Sequence, residues 1–188
     1  MPYTPMSDLG QQGLFDITRT LLQQPDLGAL SDALTRLVRQ SALADSAAIV
    51  LWHSATHRAS YFSTRDNGKI FEYEDETFLA HGPVRRILSR PEALHCNFDQ
   101  FRQAWPKLAE SNLYHPFGHY SMLPLAVEGQ IFGGCEFIRD TDQPWSEAEY
   151  ERLHTFTQIV AVVAEQIQSR VTNNVDYDLL SRERDNFR

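Results

Sequence analysis

The chain is 188 residues long, with 17 Lys and Arg against 25 Asp and Glu, a formal net charge of −8 and 42% hydrophobic residues. That is enough chain to bury one core, and the dispersed acidic excess would repel nucleic-acid phosphates, so this piece is not expected to contact DNA itself. No apolar run reaches the length of a membrane span and no leader-like start is present, so a cytoplasmic protein with no membrane contact is expected. The two cysteines, Cys96 and Cys135, are too few for a disulfide framework and lack metal-ligand spacing, which makes reduced thiols the expectation.

Taken in order, residues 9–24 carry Leu14, Ile17, Leu21 and Leu22 at helical spacing until Pro25 stops the run. A second helix over residues 27–44 presents Leu30, Leu34, Leu37 and Val38 on one side. Residues 46–53 form a compact β run, and residues 59–64 are its natural partner. Asp66, Asn67 and Gly68 signal a turn, residues 70–73 a short strand, and Glu72, Glu74, Asp75 and Glu76 a solvated acidic stretch.

Residues 79–96 are chemically the most informative. Gly82 is able to cap a helix, Pro83 suits its first turn and Val84 to Ser89 continue it. Arg85 and Arg86 then fall in the first turn, where positive charge opposes the helix dipole. An anion held by free N–H groups and a guanidinium would remove that conflict; the alternative is that both arginines reach solvent or pair with the acidic stretch. His81 precedes the cap, placed either to donate to the same anion or to satisfy a backbone group.

Residues 92–97 read as a strand, and residues 98–111 as a covering helix interrupted by Pro106, with Phe101, Trp105 and Leu108 inward. His115 and His119 are four apart, but Pro116 and Gly118 between them oppose a regular helix and so a shared metal. Residues 119–127 and 130–138 are two apolar runs separated by Glu128 and Gly129, the signature of a two-residue hairpin. With no irregularity, Tyr120 opposes Phe137 and Met122 opposes Cys135 on one face, and Ser121 opposes Glu136 on the other. Gly133 and Gly134 admit a close neighbour, either a helix or a ligand. Ser146 and Glu149 form a capping box, opening a long helix with Leu153, Phe156, Val160, Val163, Ile167 and Val171 on one stripe and Ile159 and Val162 beside it. Thr172, Asn173 and Asn174 break that pattern before a charged helix resumes from Asp176.

A strand ending in Pro124 and Leu125, a Gly turn, a Gly-containing return strand, an aromatic residue, a Ser-Glu cap and a long apolar helix together resemble the GAF family of small-molecule sensor domains. The flanks, residues 6–18, 79–91, 94–96 and 182–188, are similar to the amino-terminal part of σ54-dependent activators of formate metabolism, and this likeness covers essentially the whole chain. The resemblance implies an α+β fold, with a central antiparallel sheet, N- and C-terminal helices on one face, and short helices and loops over the other. It implies a sensor domain over residues 1–172, and a linker helix over residues 173–188 leading to a domain absent from this chain. It further implies formate or another small anion as effector, and a σ54-interacting ATPase and a DNA-binding helix-turn-helix elsewhere in the full protein.

A one-carbon carboxylate needs an arginine for a two-pronged contact, a few further donors and a small dry cavity. Arg85 is the leading candidate, with Arg86, His81 and Tyr120 behind it. No ordered nucleophile, base and orienting acid is apparent and no phosphate loop is present, so an enzyme is not expected and no cofactor is called for. The competing reading is a ligand-free scaffold that forms a homo-oligomer through the Ile159 and Val162 side of the C-terminal helix.

Overall fold

A computed structural model describes the backbone of residues 11–55, 58–65, 69–74, 82–111 and 114–186, and the side chains of 13–55, 59–63, 82–111 and 114–170. Two helices, α1 (Gln11–Leu22) and α2 (Leu27–Gln40), precede the strands β1 (Ser46–His53), β2 (Arg58–Arg65) and β3 (Lys69–Glu74). Then follow α3 (Pro83–Ser89), β4 (Leu94–Asn97), α4 (Phe98–Ala104) and α5 (Pro106–Ala109). The hairpin β5 (His119–Val127) and β6 (Gln130–Arg139) leads into α6 (Glu147–Asn186). The strands make one sheet in the order β3-β2-β1-β6-β5-β4, each paired antiparallel to its neighbours.

Alternation along the strands sorts the core into two layers. Ala47, Ile49, Leu51, Leu123, Cys135 and Phe137 point to the face covered by α1, α2 and α6, where they meet Leu21, Leu30, Leu34, Leu153, Phe156 and Val160. Ala48, Val50, Tyr61, Tyr120, Met122 and Ile138 point to the other face, under Val84 and Ile87 of α3, Phe101 of α4 and Leu108 of α5. Two hydroxyls on α2 fasten it to the sheet, Ser31 donating to the Phe62 carbonyl at 2.7 Å and Thr35 to that of Ala47 at 3.0 Å. This is the expected α+β layering.

Several local expectations are corrected. Helix α1 ends at Leu22 rather than Gln24, and Leu14 and Leu22 are exposed, because only Ile17 and Leu21 of that stripe reach the layer beneath. Helix α2 ends at Gln40, since Ala42 adopts a positive φ of 52° that no helix continues. The interruption expected at Pro106 is present and splits residues 98–111 into α4 and α5, as Trp105 leaves the helical region at φ −135°, ψ 67°. Helix α6 is unbroken through residues 172–174, so the change of apolar pattern there does not end it.

The most consequential correction concerns the hairpin. Glu128 and Gly129 both take positive φ, 51° and 80°, as a tight two-residue turn requires. Val127 then pairs with Gln130 and Ala126 with Ile131, but Leu125 pairs with Gly133, leaving Phe132 as an extra residue in β6. Beyond this bulge Tyr120 faces Ile138, Ser121 faces Phe137 and Met122 faces Glu136. Glu136 therefore shares a face with Tyr120 rather than with Ser121. The glycines are filled by protein: a Cβ on Gly134 would come within 2.7 Å of the Ile87 side chain of α3, and one on Gly133 within 2.2 Å of the Val50 carbonyl oxygen.

The passage from β6 to α6 is clamped by Arg139, which is 7% exposed and donates to Glu149 at 2.7 Å and to the Leu43 carbonyl at 3.0 Å. The Trp145 indole N–H donates to the same carbonyl. The expected capping box is present, with the Ser146 N–H donating to Glu149 Oε2 at 2.7 Å and the Glu149 N–H to Ser146 Oγ at 3.4 Å. Burial by itself pushes the Glu149 carboxyl up, but the bonds from Arg139 and Ser146 outweigh it and hold the group at about 2.

Two outcomes follow. Gly133→Ala, meeting fixed backbone, should destabilise by about 3 kcal/mol in urea unfolding, and Gly134→Ala, meeting the movable ends of Ile87 and Met122, by about 1 kcal/mol. Because the folded Glu149 pKa lies below its unfolded value of 4.5, its contribution is present above that value and lost as pH falls towards 2. Glu149→Gln should therefore be less stable than the native chain by about 1–2 kcal/mol at pH 7, with the gap narrowing below pH of about 4.5 in parallel urea titrations.

Candidate functional site

The face under α3, α4 and α5 holds the chemistry. Glu136 is 1% exposed, on a strand otherwise apolar at that point, and its carboxylate accepts from three tyrosine hydroxyls. Tyr61 of β2 donates to Oε1 at 2.6 Å; Tyr114, in the segment after α5, and Tyr120 of β5 donate to Oε2 at 2.6 and 2.9 Å. Hydrogen bonds of this kind are what allow a carboxyl group to be buried. Burial, reinforced by the neighbouring Glu136 charge, raises the Tyr120 hydroxyl well above its ordinary value, so it stays protonated and remains a donor. Phe101 packs on Tyr114 and Tyr120 with ring centroids 4.9 and 5.0 Å apart and forms the apolar wall.

Beside this cluster, at the β4 edge, lies a half-open cleft of about 230 Å³ lined by Arg86, Leu94, His95, Cys96, Gln100 and Trp105. Burial pushes the Cys96 thiol up to about 12, with Arg86 pulling the other way and Glu136 adding to the rise, so it is a neutral thiol. His95 is held below its usual range by burial and packs on Tyr150 of α6, with ring centroids 4.2 Å apart. A larger cleft of about 630 Å³ lies by Arg39, Asp45, His115, Arg139, Asp140 and Glu149. Its charges are already engaged: Arg139 as described, Arg39 with the Asp45 carbonyl and His115 with Asp140. We read it as a structural joint.

Of the sequence candidates, Arg85 is exposed on α3 with its guanidinium 5.3 Å above the Trp52 ring, and it does not line the cleft. Arg86 does. Tyr120 is fully buried and bound to Glu136, and His81 lies outside the described residues. The sequence reading missed Tyr61, Tyr114 and Glu136. The available signal was a lone acidic residue between Cys135 and Phe137 in an otherwise apolar strand.

No family model matches the chain. Among solved structures, the GAF domain of Acinetobacter phosphoenolpyruvate-protein phosphotransferase superposes with a TM-score of 0.67 at 16% identity, covering 87% of this chain and 97% of that one. The corresponding domain from Coxiella burnetii gives 0.65 at 15% identity, covering 86% and 96%. The chain has the GAF fold. All 188 residues of the chain align with the formate hydrogenlyase transcriptional activator of Salmonella typhimurium strain LT2 at 76% identity, and with that of Escherichia coli K12 at 69%. The chain spans 27% of the length of these curated relatives.

Removing one hydroxyl leaves the buried carboxylate short of a donor. Tyr61→Phe should cost about 1–3 kcal/mol in urea unfolding, and a double-mutant cycle with Glu136→Gln should return a coupling of at least about 1 kcal/mol.

Proposed function

We propose that this GAF domain is the ligand-sensing module of a σ54-dependent transcriptional activator of formate metabolism. In this reading it takes up formate in the cleft beside Arg86 and passes a conformational signal through α6. The observation that carries the reading is the 76% identity, over the whole chain, to an activator named for formate hydrogenlyase. Arg86 is the guanidinium at the cleft, and Gln100 adds an amide donor beside it. Arg85 is the weaker candidate because its cation already rests on Trp52. ATP hydrolysis, σ54 polymerase contact and DNA binding belong in this reading to other parts of the full protein.

A route from cleft to helix is available in the packing. Cys96 lines the cleft, and its neighbour His95 packs against Tyr150 in the first turns of α6 with the rings tilted by 53°. A ligand that shifts β4 bears directly on the start of a helix 40 residues long. Such a signal requires a ligand with different affinity for two positions of that strand.

A second reading, a scaffold that binds nothing and serves dimerisation, draws on two observations. The face under α3 to α5 is filled by Phe101, Tyr120, Met122 and Ile87, all of them buried. On the opposite surface Leu14, Phe15 and Leu22 of α1 and Val162 of α6 remain exposed, a surface suited to a homo-oligomer.

Isothermal titration of formate separates the two. The sensor reading expects saturable binding that weakens at least about tenfold in Arg86→Ala and changes less than about threefold in Arg85→Ala. Unchanged affinity in Arg86→Ala removes that residue from the site, and no heat at all from the native chain leaves the scaffold.

A further inference from the structure

The cluster around Glu136 has the make-up of a ligand site rather than of an ordinary core. Small-ligand pockets are apolar enclosures with a few convergent polar groups that fix one orientation. Here Phe101 and Phe117 supply aromatic wall around Tyr120, with ring centroids 5.0 and 5.8 Å away. The three hydroxyls of Tyr61, Tyr114 and Tyr120 converge on both oxygens of one carboxylate at 2.6 to 2.9 Å. All four of these residues are at most 6% exposed. The hydroxyls come from three separate segments, β2, β5 and the stretch after α5, so neighbours in sequence do not account for their meeting. What they recognise is a carboxylate, and that carboxylate is the protein's own.

We propose that Tyr61, Tyr114 and Tyr120 form a carboxylate receptor whose resident ligand is the Glu136 side chain. The pocket face of the sheet is thereby self-liganded. Tyr114 ties the segment that follows α4 and α5 to β6. While Glu136 is in place no free carboxylate has access to the three hydroxyls; when it is removed, a small monocarboxylate is the chemical class that fits. The inference is independent of the Arg86 cleft, which lies outside the cage at the β4 edge.

The test exploits the fact that Glu136→Ala deletes the atoms of one acetate. Thermal unfolding of the 188-residue chain is followed in an Arg86→Ala background, so that the outer cleft is silent, in acetate, formate, trimethylacetate and chloride at equal ionic strength. The Glu136→Ala chain should unfold at a lower temperature than its parent. Acetate at several times its dissociation constant should raise that temperature by about 3 °C, with formate weaker and trimethylacetate no better than chloride. The parent with Glu136 in place should show no acetate-specific rise. An acetate effect equal to that of chloride on Glu136→Ala, or an equal acetate effect with Glu136 present, overturns the proposal. If Glu136→Ala does not fold in chloride, it is refolded from urea: recovery in acetate but not in trimethylacetate supports the receptor, and failure in both overturns it. A failure of formate binding at Arg86 leaves these outcomes unchanged, so the two ideas fall separately.

Discussion

One surplus residue in β6 governs how the central hairpin meets the two layers around it. With Phe132 bulged out between the Ala126–Ile131 and Leu125–Gly133 pairs, every residue from Gly133 onward is displaced by one place against β5. Since side chains alternate with a period of two, that single step decides the face of each. Glu136 goes to the side of Tyr120 and Met122, and Cys135 and Phe137 go beneath α6. In the unbulged register the carboxylate would lie beside Ser121 in the largely apolar layer formed by Leu153, Phe156 and Val160, away from the three tyrosine hydroxyls that hold it. The bulge is therefore what brings the buried acid to its three donors.

The same two strands serve both layers, and this is what makes the fold suited to regulation. Tyr120 and Glu136 belong to the tyrosine cage, while Ser121, Cys135 and Phe137, their immediate neighbours, lie on the α6 side. Ser121 Oγ is buried there without a hydrogen-bond partner among the described residues, a locally imperfect contact in an otherwise closely packed seam. At the far end the Arg139 clamp fixes the first turn of α6 to the end of β6 and to the turn after α2. The start of the helix is thus tied to the sheet by side-chain bonds rather than by the connecting loop alone.

Electrostatics separates the two anion-related features of this face. Inside, a negative charge is already held by neutral donors, which makes the interior a poor place for a second anion. Outside, at the β4 edge, Arg86 supplies positive charge beside a neutral Cys96 thiol and a His95 whose pKa is lowered by partial burial. The edge is accordingly where the proposed sensor reading puts its anion. Arg85, one position earlier on α3, is turned onto Trp52 instead, which shows how far a single step of about 100° around a helix separates two like residues in role.

The sequence by itself determined the order and kind of the elements, because helical and strand periodicities, the Glu128-Gly129 turn, the Ser146-Glu149 box and the Pro106 break are all local effects of backbone sterics and hydrogen bonding. It also marked α3 as unusual through Arg85 and Arg86. It did not determine which arginine faces a cleft, since that depends on the azimuth of a short helix docked by Ile87 against Gly134. Nor did it determine the fate of Glu136. A bulge carries no fixed residue signature, and the three tyrosines lie 75, 22 and 16 positions away from the acid they bind. Only the folded sheet brings them together, because the cost of burying a charge is met by groups that the chain supplies from distant segments.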